Sequence, residues 1–177
     1  MAKKELLIPV RITPPVFQEF AVFDAMSRQK RWRGPVVFIL IFGILSALCY
    51  TQAHRLRGAG LLGTVLLAVG VGLPLAYFVN FFLSVKAQGK KLGGENAPIA
   101  YTVRLREEGI LAENGKERME LSWGQLYGAF RLRYSVCLYV SPRQAYLLPG
   151  DAQEKEGREI WAWVAEHMPE EKRKERR

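Results

Sequence analysis

The chain has 177 residues, 49% of them apolar, and carries 26 lysines and arginines against 17 acids, a net charge of +9. That length holds one small domain beside any membrane segment, and two cysteines, Cys49 and Cys137, neither in a C-x-x-C pair, exclude a disulfide framework or thiol-redox motif. The positive excess lies around the apolar segments and in residues 169–177, while residues 99–168 carry a net −1, which argues against a nucleic-acid partner.

Residues 1–34 read as an N-terminal strand and an amphipathic helix. Glu5–Ile12 has strand character. Thr13 is placed as an N-cap, with Pro14 and Pro15 at the first helical positions. Val16, Phe17, Phe20, Phe23 and Met26 then recur at steps of three and four through Arg31, the pattern of one apolar helix face. A basic collar follows, with Arg28, Lys30, Arg31 and Arg33 around Trp32. Cations and a tryptophan are interfacial anchors at the mouth of a membrane span.

Residues 35–85 form two uncharged apolar runs, 35–53 and 58–85, separated by His54-Arg55-Leu56-Arg57. A helix of 19 residues is about 28 Å long, near the ~30 Å thickness of a hydrocarbon core. The expected structure is a transmembrane helical hairpin; the alternative is a buried hairpin inside a soluble bundle. The first run starts after 34 residues and is soon followed by a second, so it reads as a retained span, not a cleaved signal. Arg28, Lys30, Arg31 and Arg33 before the hairpin, with Lys86, Lys90 and Lys91 after it, outnumber Arg55 and Arg57 in the connector. By the positive-inside rule both termini are cytoplasmic and the short connector lies outside. In the second run Gly60, Thr64, Ala68, Gly72, Ala76 and Asn80 recur every fourth residue, with Gly43, Ala47 and Thr51 as a shorter counterpart. Small residues let helices approach closely in lipid. The stripe is expected to serve the hairpin's own packing, a homodimer or a foreign transmembrane partner. Pro74 predicts a kink near Gly70, and Asn80 is the one amide of the span.

Residues 86–98 read as a Gly- and Lys-containing linker. From Ile99 the apolar period becomes two. Ile99, Tyr101, Val103 and Leu105 alternate with polar residues, Glu107-Glu108-Gly109 makes a turn, and Asn114-Gly115 signals a hairpin. Met119–Trp123, Leu126–Arg133, Val136–Val140 and Ala145–Leu148 continue the series. Asp151-x-x-Glu154 resembles a capping box. The helix after it has Ile160, Trp161, Val164 and Met168 on one face, with Trp163 and His167 beside it. PEEKRKERR, residues 169–177, reads as a charged, mobile tail. The expected fold of residues 99–168 is a small antiparallel β module covered by a C-terminal helix, and of the whole chain an α+β membrane protein.

Two early spans followed by these strands resemble the YcxB-like family of small bacterial membrane proteins. The resemblance rests on the Tyr101 strand, the Glu108-Gly109-Ile110 turn, Leu121-Ser122-Trp123 leading into Leu126-Tyr127, Leu138-Tyr139-Val140, and Leu147-Leu148-Pro149. Many relatives carry basic residues after that Leu-Pro. Here Gly150-Asp151 follows, so no role of a basic pair is transferred. The resemblance implies a place in the bacterial inner membrane, a cytoplasmic domain like a pleckstrin-homology (PH) barrel and no established catalytic activity.

The chemistry-bearing patterns point the same way. His54 and His167 lack metal-ligand spacing, and Gly58-Ala59-Gly60-Leu61-Leu62-Gly63 opens a span instead of following a strand, so it is not a nucleotide loop. No cofactor and no enzymatic role are expected. Arg131, Arg133 and Arg143 form a possible basic surface for an acidic partner segment or an anionic headgroup. The reading is a non-enzymatic membrane protein presenting an interaction or regulatory domain. Its expected partners are lipid and a protein or second copy reached through the hairpin. The alternative is an anionic-lipid-responsive sensor using the basic collar.

Overall fold

The computed structural model describes residues 5–92, 99–115 and 117–175. It is an α+β structure with two long apolar helices and two small sheets. The chain forms two compact units, one made of Met1–Ala21 with Gln88–Arg177, the other of Val22–Ala87.

The first unit is interrupted in sequence. Strand β1 (Glu5–Val10) lies antiparallel to β2 (Tyr101–Arg106), with Glu5 beside Arg106 and Val10 beside Tyr101. Helix α1 (Pro14–Phe23), helix α2 (Arg33–Thr51) and helix α3 (Ala59–Lys91) are therefore threaded between two neighbouring strands of one sheet. The N-terminal segment is not separate from residues 99–168, as the sequence reading had it. Its strand completes their sheet, because Ile8 and Val10 supply two side chains to their core. Pro9, with no N–H, is tolerated because β1 is an edge strand.

Strands β3 (Gly109–Asn114) and β4 (Glu117–Ser122) extend this antiparallel sheet in the order β1-β2-β3-β4. Gly115, at φ 52°, begins the tight turn between them. At Gly109 only glycine fits, since a β-carbon would run into the Leu121 carbonyl of β4. Alternation divides β2: Val103 and Leu105 are fully buried, while Arg104 and Arg106 join an ion-pair ladder with Glu5, Glu113 and Glu120. Each such half-exposed pair contributes about 0–1 kcal/mol, so the apolar face carries the stability.

The second sheet has the order β7-β6-β5-β8, built from β5 (Gly128–Arg131), β6 (Ser135–Tyr139), β7 (Ala145–Pro149) and β8 (Arg173–Glu175). The first three are antiparallel, and β8 lies parallel to β5. The tail expected to be mobile is thus a strand through Glu175; Arg176 and Arg177 lie outside the described residues. The Tyr101 hydroxyl joins the two sheets, donating to the Leu147 carbonyl at 3.1 Å and accepting from the Leu147 N–H at 2.9 Å.

Helix α4 (Lys155–His167) buries Ile160, Trp163 and Val164, and Met168 just beyond it, in the same core. Trp163 is a core residue, not a neighbour of the apolar face. The expected capping box is not formed. Asp151 instead accepts the Gln153 N–H at 2.8 Å in a tight turn, so the helix starts after Glu154. His167 stacks between Trp123 and Trp163, with centroids 5.5 and 5.1 Å away. The other face of the second sheet is apolar too, and α1 meets it. Phe20 packs on Tyr139 at 6.3 Å, and the Glu19 carboxylate accepts the Arg133 and Tyr134 N–H groups, both at 2.8 Å.

In the second unit the amphipathic segment stops being α-helical at Phe23 and continues as a π-helical turn, Asp24–Arg28. Lys30 has φ 51°, a reversal before α2 begins. Helices α2 and α3 make the expected hairpin. Ser46 Oγ donates to the Gly63 carbonyl at 2.7 Å, Tyr50 and Thr64 hydroxyls meet at 2.9 Å, and Gly70 sits against Phe42. Helix α3 runs unbroken through Pro74 and on to Lys91, so the first part of the expected linker is helical. Residues 93–98 of that linker lie outside the described residues.

Candidate functional site

The hairpin's expected packing stripe is only partly used. Thr64 meets Tyr50 of α2, and Gly60 lies against Ala53 just beyond the end of α2. Ala68, Gly72, Ala76 and Asn80 are exposed, and a β-carbon on Gly72 would touch nothing within 4 Å. The contact line runs instead through Gly63, Gly70 and Pro74, all buried. The reason is geometric. Steps of four drift about 40° each around a 3.6-residue helix, whereas a step of seven drifts about 20°. A stripe that starts at the interface at Gly60 has rotated off it by Ala68. Asn80 donates one amide hydrogen to the Ala76 carbonyl of its own helix at 3.0 Å. In the shorter counterpart Ala47 is exposed, and α2 uses Phe42, Ser46 and Cys49 in its place.

The collar residues Arg28, Lys30, Arg31 and Arg33 precede or open α2, and Lys86, Lys90 and Lys91 occupy the last turns of α3. Arg28 lies 3.7 Å from Asp24, and the Arg31 guanidinium bonds Gln29 at 2.8 Å.

The three arginines of the possible partner surface have separate employments. Arg131 is half-buried, paired with Glu175 at 2.7 Å, bonded to the Ala152 carbonyl at 2.8 Å and set over Trp161. Arg133 is exposed with its guanidinium over Tyr134 at 5.1 Å. Arg143 is exposed in the β6–β7 turn. Arg131 is therefore withdrawn from an open patch, because its charge is already matched inside the domain.

Sequence reasoning missed a groove of about 470 Å³ along β3 and β4, lined by Tyr101, Glu113, Glu117, Met119 and Tyr146. The two tyrosine rings meet edge to face at 5.5 Å, and the Tyr146 hydroxyl points at the Met119 sulfur at 3.3 Å. Burial pushes the Tyr101 hydroxyl up to about 12, and burial together with the Glu117 carboxylate raises Tyr146. Both phenols stay neutral at physiological pH, so the groove offers packing and hydrogen bonding. The available signal was Tyr101 and Tyr146 falling on apolar-face positions of two strands. Among the described residues there is no group of three His, Cys, Asp or Glu side chains placed to hold a metal.

The molecule is thus an α+β protein with an apolar helical pair inserted into a β domain. Residues 105–159 match the model of the YcxB-like protein family, which bears out the resemblance read from the sequence. The match runs from the end of β2 into α4, and so covers the strand series without β1 or the hairpin. No curated protein and no solved structure matches the chain.

Proposed function

We propose that this chain is a membrane protein whose hairpin crosses the bilayer twice and whose β domain is a non-enzymatic interaction or regulatory module on the cytoplasmic face. The carrying observation is the exposure of the two apolar helices. Their most apolar 18-residue windows have mean hydropathy 2.1, yet only 6% of the first and 17% of the second is buried. A core helix of a soluble protein hides such a surface, and water penalises it at roughly 25 cal/mol per Å². Lipid removes the penalty. Orientation rests on the seven cations flanking the hairpin against Arg55 and Arg57 in its connector. The succession of antiparallel strands closed by one C-terminal helix supports a PH-like module.

Two experiments test the reading. Alkaline carbonate extraction leaves the protein in the membrane pellet, and a cysteine at His54 reacts with an impermeant maleimide from outside while one at Glu107 does not. Release by carbonate contradicts membrane insertion; labelling of Glu107→Cys alone contradicts the orientation. Gentle purification from the native membrane then tests the module reading: a near-stoichiometric protein partner supports it, and recovery with bulk lipid alone contradicts it.

A further inference from the structure

The connector between α2 and α3 is an ordered turn. The Gln52 carbonyl accepts the Arg55 and Leu56 N–H groups, both at 3.0 Å, and the Leu56 carbonyl accepts Ala59 at 3.2 Å. Gly58, at φ 90°, then leads the chain into α3. This turn borders a cleft of about 610 Å³ between the end of α2 and the start of α3. Small-molecule sites have roughly 300–1,000 Å³. Leu45, Leu48, Leu56 and Leu62 give the cleft apolar walls, and Gln52 and Arg57 line its connector end. Leu45 stands seven residues before Gln52. That is about 10 Å of helix, so the cleft runs from a polar mouth towards the apolar middle of the hairpin.

The charges define the occupant. No aspartate or glutamate occurs from residue 25 to residue 94. Asp24, the one acid of the second unit, pairs with Arg28 before α2 begins, a full helix length from the connector. Arg55 and Arg57 therefore have no counter-charge in their own unit. In the orientation proposed above they also stand on the side of the membrane where cations are infrequent. An arginine fork matches phosphate oxygens. At the mouth of an apolar cleft it selects a ligand with an anion at one end and hydrocarbon at the other. A free anion leaves the leucines bare, and a zwitterionic lipid brings its own cation up to Arg57.

We propose that this cleft binds one anionic phospholipid from the leaflet at the connector end of the hairpin, with its phosphate on Arg57 and an acyl chain along Leu48 and Leu45. The site is distinct from the basic collar, whose residues lie at the opposite ends of α2 and α3. It rests on the membrane reading above.

The test counts the lipids held by the detergent-purified full chain in native mass spectrometry, with phosphatidylglycerol and phosphatidylcholine of identical acyl chains as probes. The chain holds one phosphatidylglycerol about tenfold more tightly than phosphatidylcholine, the size of one charge-assisted contact. Arg57→Gln loses that preference. Arg55→Gln, outside the cleft, keeps it. Leu48→Trp fills the cleft, leaves both arginines in place and loses the tightly held lipid; should it fail to purify, Leu62→Trp replaces it. Equal losses from Arg55→Gln and Arg57→Gln overturn the site in favour of diffuse charge attraction, and undiminished binding by the tryptophan variant overturns it too. Glycerol phosphate, a headgroup without chains, does not displace the lipid; displacement by it replaces the proposal with a soluble-anion site. A chain that resists carbonate extraction yet holds both lipids alike refutes this site alone, whereas release by carbonate refutes the membrane reading and this site with it.

Discussion

Leucine behaves oppositely in the two regions of this molecule. In the β domain Leu105, Leu126, Leu138 and Leu148 are wholly buried, while in the hairpin Leu61 is 74% and Leu75 62% exposed. The same side chain therefore reports two different surroundings. In the domain, strands alternate and each apolar face closes on another element. In the hairpin, the helices are apolar all round and touch along a narrow line of Gly63, Gly70 and Pro74. Two helices hydrophobic on every side and covered by no other part of their own unit have the length and composition to cross a membrane.

Core truncation sharpens the contrast most. Leu138→Ala leaves a cavity and costs about 2–5 kcal/mol of domain stability, whereas Leu75→Ala leaves it unchanged. Amide exchange of the β strands measures both. The next effect is pH-dependent and confined to the domain. Tyr101 ionises near its ordinary value of 10 when unfolded and at about 12 when folded. The folded state therefore holds its proton more tightly, so stability is intact below pH 10 and falls as pH rises through 12. The loss is about 3 kcal/mol at most. Urea unfolding across that window shows it, and Tyr101→Phe removes it.

Within the hairpin, Gly63→Leu forces α2 and α3 apart and Gly72→Leu does not. Disulfide formation between Ala53→Cys and Gly60→Cys, in a Cys49→Ser background, falls with the first substitution only. A smaller effect is expected at α1. Glu19→Gln weakens two charge-assisted bonds to the Arg133–Tyr134 backbone, costing about 1–2 kcal/mol and speeding exchange of those two amides.

The strand series was legible because a period of two survives any tertiary context that buries one face. The Asn114-Gly115 signal marked a turn that Gly115 makes with its positive φ, whereas Gly109, read as part of a turn, opens β3 and is fixed by the Leu121 carbonyl beside it. The union of β1 with β2 was not legible, since local patterns say nothing about a partner some ninety residues away. Nor was β8: a run of charges reads as solvated, and only the β5 edge and Arg131 turn it into a strand. The small-residue stripe failed for a different reason. Its period was visible, but a four-residue repeat does not follow one helix face for long, and the buried seven-residue step of Gly63 and Gly70 is harder to see. Arg131, Arg133 and Arg143 looked alike as charges; their partners separated them.

The central claim is that one β domain is interrupted by the hairpin, with β1 and β2 paired across it. It is tested by Leu7→Cys with Arg104→Cys, neighbours in the β1–β2 register, in a chain with Cys49 and Cys137 replaced by serine. Antiparallel neighbours lie within disulfide reach. After oxidation in membranes and tryptic cleavage at Arg55 or Arg57, the two halves are expected to stay joined on a non-reducing gel and to separate on reduction. Halves that separate without reductant, while each single-cysteine chain behaves identically, contradict the account.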